Sequence, residues 1–123
     1  MTKILVAEDR AASRELIRTV LEDCGYEVAE ACDGAEAVGQ ATISVPDLVL
    51  LDLHMPILDG YGVLQQLRRD SRFAAIPFVA LTANAMEGER ARAIAAGFSA
   101  YITKPVDLTF LRKELAKLLE RKH

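Results

Sequence analysis

The stretch VLLDLHMP, residues 49–56, carries one aspartate, Asp52, at the end of an apolar run. An apolar run without alternation is typical of a parallel strand that is buried on both faces. A carboxylate is a poor strand residue and is costly to bury without a partner. Asp52 is therefore predicted at the exposed carboxyl end of a central strand. There it is either a turn or cap residue or a reactive group.

The rest of the chain repeats the order of a short apolar strand followed by an amphipathic helix. Strands are predicted over residues 3–7, 26–32, 48–51, 77–81 and 100–103, and helices over 11–24, 33–43, 61–69, 85–96 and from 108 onward. This pattern predicts an α/β fold with a doubly wound, five-stranded parallel sheet, a flavodoxin-like strand order 2-1-3-4-5 and five helices. Neither a linker nor a second domain is predicted, so residues 1–123 are expected to form one domain.

Three of the predicted helices begin at a capping residue. Asp33 is expected to cap the second helix, with Glu36 reaching back in a variant of the capping box. Asn84 and Glu87 have the same spacing before the fourth helix, and Asp107 precedes the fifth. These capping residues mark where the loops that follow the second, fourth and fifth strands are predicted to end.

The composition is that of an ordinary globular domain. The 123 residues are 51% hydrophobic and 27% charged, with a net charge of −3. No apolar run approaches the roughly 20 residues of a membrane span, and the N-terminus does not resemble a signal peptide. A cytoplasmic protein is expected, with no membrane partner. The acidic balance argues against direct binding of nucleic acid, and the basic residues 121–123 are interpreted as a solvated helix end.

The two cysteines, Cys24 and Cys32, lie eight residues apart among apolar neighbours. They have neither a Cys-x-x-Cys spacing nor a nearby histidine cluster, so a disulfide or a zinc site is not expected. Both are predicted to be small buried thiols.

Charged and hydroxyl side chains follow the predicted strands. Glu8 and Asp9 follow the first strand, Asp52 ends the third, Thr82 follows the fourth and Lys104 follows the fifth. In open α/β sheets, ligands bind outside the carboxyl ends of the strands, near the switch in strand order. These side chains are therefore expected to converge in one shallow pocket.

The charges of this pocket indicate a magnesium site. Three carboxylates would repel one another, but one Mg²⁺ ion and one lysine neutralise them. Magnesium is bound through a few carboxylates together with waters and phosphate oxygens. Such a site suits phosphoryl transfer, in which the protein positions the group and neutralises its oxygens. A carboxylate such as that of Asp52 needs no general base to act as the nucleophile.

Each of these residues also has an ordinary structural explanation. Asp52 alone would be a turn residue, and Glu8 and Asp9 would be acids favoured at a helix N-terminus. Lys104 would be a surface ion pair and Thr82 a helix cap. The coincidence of all of them at neighbouring strand ends favours the reactive interpretation.

Together the motifs resemble the receiver domain of two-component response regulators. The resemblance is carried by Glu8-Asp9, by Asp52 within LLDLHMPILDG, by Thr82-Ala83 and by Lys104-Pro105, and it spans essentially the whole chain. The stretch ALTANAMEGER…AAGFSAYITKP is similar to single-domain, chemotaxis-regulator-like receivers and to the receivers of hybrid histidine kinases. The resemblance implies a signalling switch rather than an enzyme, although such a switch assists its own phosphorylation and dephosphorylation.

The resemblance also implies a role for each matching residue. Asp52 is the phosphoacceptor, and Glu8, Asp9, Asp52 and the backbone carbonyl of His54 bind Mg²⁺. Lys104 pairs with the phosphoryl oxygens. The switch residues are Thr82, which turns inward to the phosphoryl group, and Tyr101, which follows it; without the resemblance, Tyr101 would be interpreted as half-buried packing. The implied peptide bond before Pro105 is cis.

Three positions vary among receivers. Arg10 follows the acid pair and either leans toward the carboxylates or points to solvent. His54 and Asn84 each lie two residues after a site residue and flank the phosphoryl group. His54 could be a base or a metal ligand, but it is interpreted as a rim residue that contributes its carbonyl.

The implied partners are a histidine kinase or histidine phosphotransfer protein and a downstream protein target. Ala11, Ala12 and Ile17, at the start of the first helix, belong either to the core or to a docking face for a histidine-bearing helix bundle. No DNA-binding or enzymatic domain is expected after the last helix, so output is expected through another protein. Met1 directly before the first strand slightly favours a stand-alone protein over an excised hybrid-kinase receiver.

Two other classes of function match the sequence less well. A phosphatase of the haloacid-dehalogenase type forms an aspartyl phosphate but requires a second aspartate at the position of His54, and it usually carries a cap domain. A flavodoxin-like FMN-binding protein requires a hydroxyl-rich loop after the first strand, where Glu8 and Asp9 would repel the phosphate.

Overall fold

The computed structural model describes residues 1–83 and 86–120. In chain order the elements are β1 (Lys3–Ala7), α1 (Ala11–Asp23), β2 (Glu27–Ala31), α2 (Gly34–Ile43), β3 (Leu48–Asp52), α3 (Gly60–Arg68), a 3₁₀ turn (Ser71–Phe73), β4 (Phe78–Thr82), α4 (Glu89–Ala96), β5 (Ala100–Thr103) and α5 (Leu108–Glu120). The predicted fold class is confirmed. The boundaries differ from the predicted ones by at most one residue, except at α4, and a 3₁₀ turn was not predicted.

The five strands form one parallel sheet in the order β2-β1-β3-β4-β5. Strand β3 therefore lies at the centre, and all of its residues are buried. The parallel arrangement brings every strand end to the same edge of the sheet, as the sequence predicted.

Helices cover both faces of the sheet. Because successive side chains of a strand point to opposite faces, Leu5 and Val49 join one apolar cluster while Ile4 and Leu48 join the other. The first cluster is closed by α2, α3 and α4 and the second by α1 and α5. Burial on both faces explains why the strands read as continuous apolar runs.

The predicted caps of α2 and α5 are present. Asp33 Oδ1 accepts a hydrogen bond from the amide of Glu36 at 2.7 Å, and Asp107 Oδ1 accepts one from the amide of Phe110 at 3.1 Å. The Glu36 carboxylate reaches back to the amide of Cys32 at 3.1 Å. The predicted capping box therefore closes one residue earlier than expected.

The predicted start of the fourth helix is wrong. Residues 86–88 are not helical, and α4 begins at Glu89 after Gly88, whose φ of +84° suits glycine. Glu87 therefore lies before the helix rather than at its third position. The proposed cap, Asn84, and the tail residues 121–123 lie outside the described part of the chain.

The predicted burial of the cysteines is also wrong, since both are exposed. Cys24 follows the last turn of α1, and Cys32 lies one residue beyond β2, an edge strand. Their apolar sequence neighbours point to the core from other positions. The helical pattern of residues 11–24 predicts that Leu16 faces the core together with Ile17, Val20 and Leu21. This is wrong for Leu16, whose exposed fraction is 54%, because the buried stripe of α1 is narrower and consists of Ile17, Val20 and Leu21.

Within the described ranges, no helix combines the length and the apolar character that crossing a bilayer requires.

Candidate functional site

The register of the strands brings the predicted site residues to one edge. Ala7 pairs with Leu51 and Leu81 pairs with Asp52, so Glu8 and Thr82 each follow at the level of the site. Thr82 in turn pairs with Thr103, the residue before Lys104. The sheet itself therefore positions these side chains, and three of them, Glu8, Asp52 and Thr82, are buried.

Lys104 joins two of the three carboxylates. Its Nζ atom lies 2.7 Å from Oδ2 of Asp52 and also donates a hydrogen bond to Oε1 of Glu8. The other oxygen of Asp52, Oδ1, accepts a hydrogen bond from the amide of His54 at 2.8 Å. Both oxygens of Asp52 are thus held in place.

The carboxylates of Glu8, Asp9 and Asp52 form a group with the geometry of a metal site. One oxygen from each residue lies within 4.8 Å of those of the other two. Oε2 of Glu8 is buried and has no hydrogen-bond partner. Burying a carboxylate oxygen without a partner costs free energy. Hard divalent cations prefer such oxygens as ligands, so a bound cation would compensate that cost. The site therefore fits Mg²⁺.

The pKa values reflect this excess of negative charge. Burial, together with the neighbouring Asp52 carboxylate, raises the pKa of Glu8 from 4.5 to about 7. Burial alone would also raise the pKa of Asp52, but hydrogen bonds from Glu8, Lys104 and the His54 amide lower it below its usual value. Burial opposes the charge of Lys104, yet its two carboxylate partners raise its pKa. Asp52 and Lys104 therefore remain charged, and without a cation Glu8 is the group that takes up a proton as the pH falls below about 7.

The loop between β3 and α3 forms one wall of the site and is tightly packed. A Cβ atom on Gly60 would lie 2.7 Å from the backbone oxygen of Asp52, and one on Gly34 would lie 1.9 Å from the backbone oxygen of Leu58. Ile57, in the same loop, has a φ of +71° and is 80% exposed. The backbone around Asp52 thus depends on two positions without a side chain.

The structure places the remaining predicted residues as follows. Tyr101 is buried, the side chain of His54 is exposed, and the peptide bond between Lys104 and Pro105 is cis. Arg10 is exposed at the start of α1. The backbone carbonyl of His54 remains a predicted ligand.

Two residues that contact the site were not identified from the sequence. Arg14, which the helical pattern of residues 11–24 places off the apolar face, donates from Nη1 to the backbone oxygen of Glu8 at 2.9 Å and from Nε to Glu30 at 3.1 Å. Glu89 lies between Tyr101 and His54. The sequence signal for Arg14 was its position in the first turn of the helix that follows the acid pair, whereas the position of Glu89 depends on where α4 begins.

A parallel sheet in this order, with an acid cluster and a lysine at the carboxyl ends of its strands, is the arrangement that the resemblance to receiver domains predicted. The family model described as "Response regulator receiver domain" matches residues 4–116. The chain therefore belongs to the response regulator receiver domain family, the family it resembled from its sequence.

Among curated proteins, the chain is 38% identical over 121 residues to the DNA-binding dual master transcriptional regulator RpaA of Synechocystis, covering 98% of this chain and 50% of RpaA. The chain spans about half the length of the curated relatives that it matches first.

Solved structures share the fold over nearly the whole chain. The receiver domain of the sensor histidine kinase PA1611 from Pseudomonas aeruginosa, described with a magnesium ion coordinated in its active site cleft, is 33% identical; 97% of this chain and 98% of that chain are covered, with a TM-score of 0.89. The Vibrio cholerae chemotaxis protein CheY4 is 29% identical, with 96% and 98% covered and a TM-score of 0.90. These likenesses favour a receiver over the phosphatase and the FMN-binding protein.

Proposed function

We propose that the chain is a phosphoacceptor switch in which Asp52 accepts a phosphoryl group from a phosphohistidine. The observation that carries the proposal is the placement of the Asp52 carboxylate at the end of the central strand, with Oδ2 held by Lys104 and Oδ1 by the His54 amide. In the transfer, an oxygen of Asp52 forms a bond to phosphorus while the bond from phosphorus to the imidazole nitrogen breaks. The electron pair of that bond stays with the imidazole.

In this proposal Glu8, Asp9, Asp52 and the His54 carbonyl hold Mg²⁺. The partnerless oxygen of Glu8 supports this assignment, because it lacks a proton donor in the described structure. When bound, the ion supplies positive charge to the phosphoryl oxygens. The chain's own residues fix the nucleophile and exclude water from one side of it, since Asp52 and Glu8 are buried.

Lys104 and Thr82 complete the proposed phosphoryl site. Lys104 already contacts Asp52 and has the charge to neutralise one phosphoryl oxygen. Thr82 is buried and directly follows Leu81, the strand partner of Asp52; in this proposal its hydroxyl turns toward the phosphoryl group. Tyr101, on the neighbouring strand, is the proposed reporter of that change.

The proposed phosphodonor is a helix that carries a phosphohistidine, presented by a histidine kinase or a phosphotransfer protein. An open groove of about 500 Å³ lies beside Lys104, and its lining is mainly apolar, formed by residues that include Ala12, Leu16, Ile17, Pro105 and Leu108, with Arg10. Leu16, exposed there by 54%, offers apolar area to such a helix. The groove supports the docking role considered for the start of α1.

The proposed output is protein–protein interaction at a cytoplasmic location, without direct contact to nucleic acid. RpaA is described as DNA-binding, but it is twice as long as this chain. The chain itself has a net charge of −3, which opposes binding to a phosphate backbone. We assign no turnover of an external substrate, only assistance to phosphorylation and dephosphorylation of Asp52.

The proposal is tested by incubating the protein with acetyl phosphate and Mg²⁺ and recording its intact mass. We expect one phosphoryl adduct, which is lost with EDTA and with Asp52→Asn. Asp23→Asn, at the exposed end of α1, is the matched control and should keep the adduct. An adduct that persists in Asp52→Asn, or steady phosphate release without an adduct, contradicts the proposal.

A further inference from the structure

Glu89, the first residue of α4, is an acid with an unexpected degree of burial. Its side chain is only 9% exposed, whereas Glu87, two residues earlier, is exposed. Charged side chains are seldom buried unless polar partners compensate for the lost hydration. The contacts of Glu89 therefore indicate what its carboxylate does.

The carboxylate of Glu89 lies between Tyr101 and His54. Its Oε1 atom accepts a hydrogen bond from the hydroxyl of Tyr101 at 2.8 Å, and its Oε2 atom lies 3.5 Å from Nε2 of His54. The amide of His54 in turn donates to Oδ1 of Asp52. A continuous path of contacts thus runs from Asp52 through His54 and Glu89 to Tyr101.

The surroundings of Tyr101 make this hydrogen bond persistent. Burial and the hydrogen bond to the Glu89 carboxylate raise the pKa of Tyr101 to about 12, the direction expected for a buried phenol that donates to an anionic acceptor. Tyr101 itself is 8% exposed. A buried hydroxyl that lost its acceptor would carry an uncompensated desolvation cost, which favours rotation of the ring toward water.

We infer that Glu89 is a positioning residue that holds Tyr101 in its buried orientation before any phosphoryl group is present. The inference rests on the proposed role of Tyr101 as a switch residue. It adds that the unphosphorylated chain already favours the inward ring, and that the strength of the contact to Glu89 sets how far the two orientations are balanced. A ligand that changes the populations of the buried and exposed orientations of Tyr101 must therefore either weaken the Glu89 contact or strengthen it.

The orientation of Tyr101 can be measured in the full chain by ¹⁹F NMR after labelling with 3-fluorotyrosine. The sequence contains three tyrosines, so Tyr101→Phe assigns the signal. Broadening by a soluble gadolinium chelate reports exposure of the ring. We expect a protected signal in the wild type, at least threefold stronger broadening in Glu89→Ala, and protection restored in Glu89→Gln, which keeps a hydrogen-bond acceptor.

Glu87→Ala is the matched control, because it removes an exposed acid from the same segment, and it should leave the signal protected. Equal protection of Tyr101 in the wild type and in Glu89→Ala overturns the inference, as does exposure of Tyr101 in the wild type. If Glu89→Ala does not fold, a double-mutant cycle of Glu89→Leu, which fills the site but has no acceptor, and Tyr101→Phe on urea unfolding decides instead. We expect a coupling of about threefold or more in the folding equilibrium, and additive effects overturn the inference.

The acetyl phosphate adduct separates this test from that of the proposed function. We expect Glu89→Ala to retain the adduct on Asp52, because Lys104 and the His54 amide still hold the carboxylate. If the wild type forms no adduct, the proposed function fails, and protection of the Tyr101 ring still reports on the contact with Glu89.

Discussion

The ammonium nitrogen of Lys104 lies 2.7 Å from Oδ2 of Asp52. This ion pair joins the residue that follows β5 to the last residue of the central strand β3. The same nitrogen contacts Glu8. The single positive charge of Lys104 cannot neutralise the three carboxylates of the acid group. The remaining negative charge is reduced by a proton on Glu8 or is neutralised by a bound cation.

The pKa of Glu8 predicts how the stability of the metal-free protein depends on pH. Its pKa is raised from 4.5 to about 7 in the folded chain. Between these values the folded protein holds a proton that the unfolded chain has released, so stability decreases as the pH rises from about 4.5 to about 7. We expect a loss on the order of 2–3 kcal/mol, measured by urea unfolding in EDTA.

Glu8→Gln is the control for this pH dependence, because an amide does not titrate. We expect the decrease in stability with rising pH to be absent in Glu8→Gln. In the wild type, excess Mg²⁺ should offset it. The lowered pKa of Asp52 acts in the opposite direction, as stability is lost when the pH falls through its folded value, below 3.8. Identical pH profiles for the wild type and Glu8→Gln between pH values of about 5 and 7 would contradict the account.

Asp9 should contribute to cation binding. It is the exposed member of the acid group, so its replacement removes a ligand without leaving a buried cavity. Asp9→Asn should weaken Mg²⁺ binding by roughly tenfold or more, measured by titration calorimetry. Glu15→Gln removes an exposed acid from α1 and should leave the affinity unchanged within about twofold. Equal affinities of Asp9→Asn and the wild type count against the assignment.

Gly60 should be required for the geometry of Asp52. A Cβ atom there would meet the Asp52 carbonyl oxygen at 2.7 Å and the Leu53 Cα atom at 2.9 Å, and both are backbone atoms. Gly60→Ala should destabilise the fold by roughly 1–3 kcal/mol and slow labelling of Asp52. Gly39→Ala, within α2 and with open space around it, should be stabilising by about 0.5–1 kcal/mol. If Gly60→Ala changed neither the free energy of unfolding nor the labelling of Asp52, the loop would be free to move, which contradicts this prediction.

Ile57 should be a strained position. A β-branched residue at a φ of +71° is costly, and its side chain, 80% exposed, recovers little of that cost through packing. Ile57→Asn should increase the free energy of unfolding by about 1 kcal/mol, because asparagine tolerates the left-handed region. Ile43→Asn, at an equally exposed helix end, should change it by less than about 0.5 kcal/mol. A loss of stability in Ile57→Asn would indicate a packing role for the side chain.

Leu16 should contribute to docking of the phosphodonor. Its side chain lines the groove beside Lys104. Leu16→Ser should slow transfer from a histidine phosphotransfer protein by roughly tenfold and leave labelling by acetyl phosphate unchanged, because the small donor does not need the groove. Ile94→Ser, on the exposed face of α4, should affect neither reaction. Equal slowing with both donors would place Leu16 in the chemistry of the site rather than in docking.

The fold and the main site residues could be predicted because each depends on a local pattern. Apolar runs such as residues 48–51 define buried strands, and parallel strands bring their carboxyl ends to one edge. The convergence of Glu8, Asp52 and Lys104 follows from the strand order alone.

The errors concern contacts that depend on the exact ends of elements. Cys32 is exposed because β2 is an edge strand that ends one residue before it, and Leu16 is exposed because α1 buries a narrow stripe. Glu89 could not be linked to Tyr101 while α4 was expected to begin at residue 85, since a start four residues earlier makes Glu89 an interior helical position. The positive φ of Ile57 has no signal in a residue type that avoids it.

The most direct test of the central claim is to identify the residue that carries the phosphoryl group. Borohydride reduces an acyl phosphate to an alcohol, so treatment of the labelled protein converts a phosphorylated aspartate to homoserine, which peptide mass spectrometry locates. We predict homoserine at position 52, dependent on Mg²⁺, with Glu8 and Asp9 unmodified. Homoserine at another aspartate, or a phosphoryl adduct that yields no reduced residue at position 52, would contradict the account.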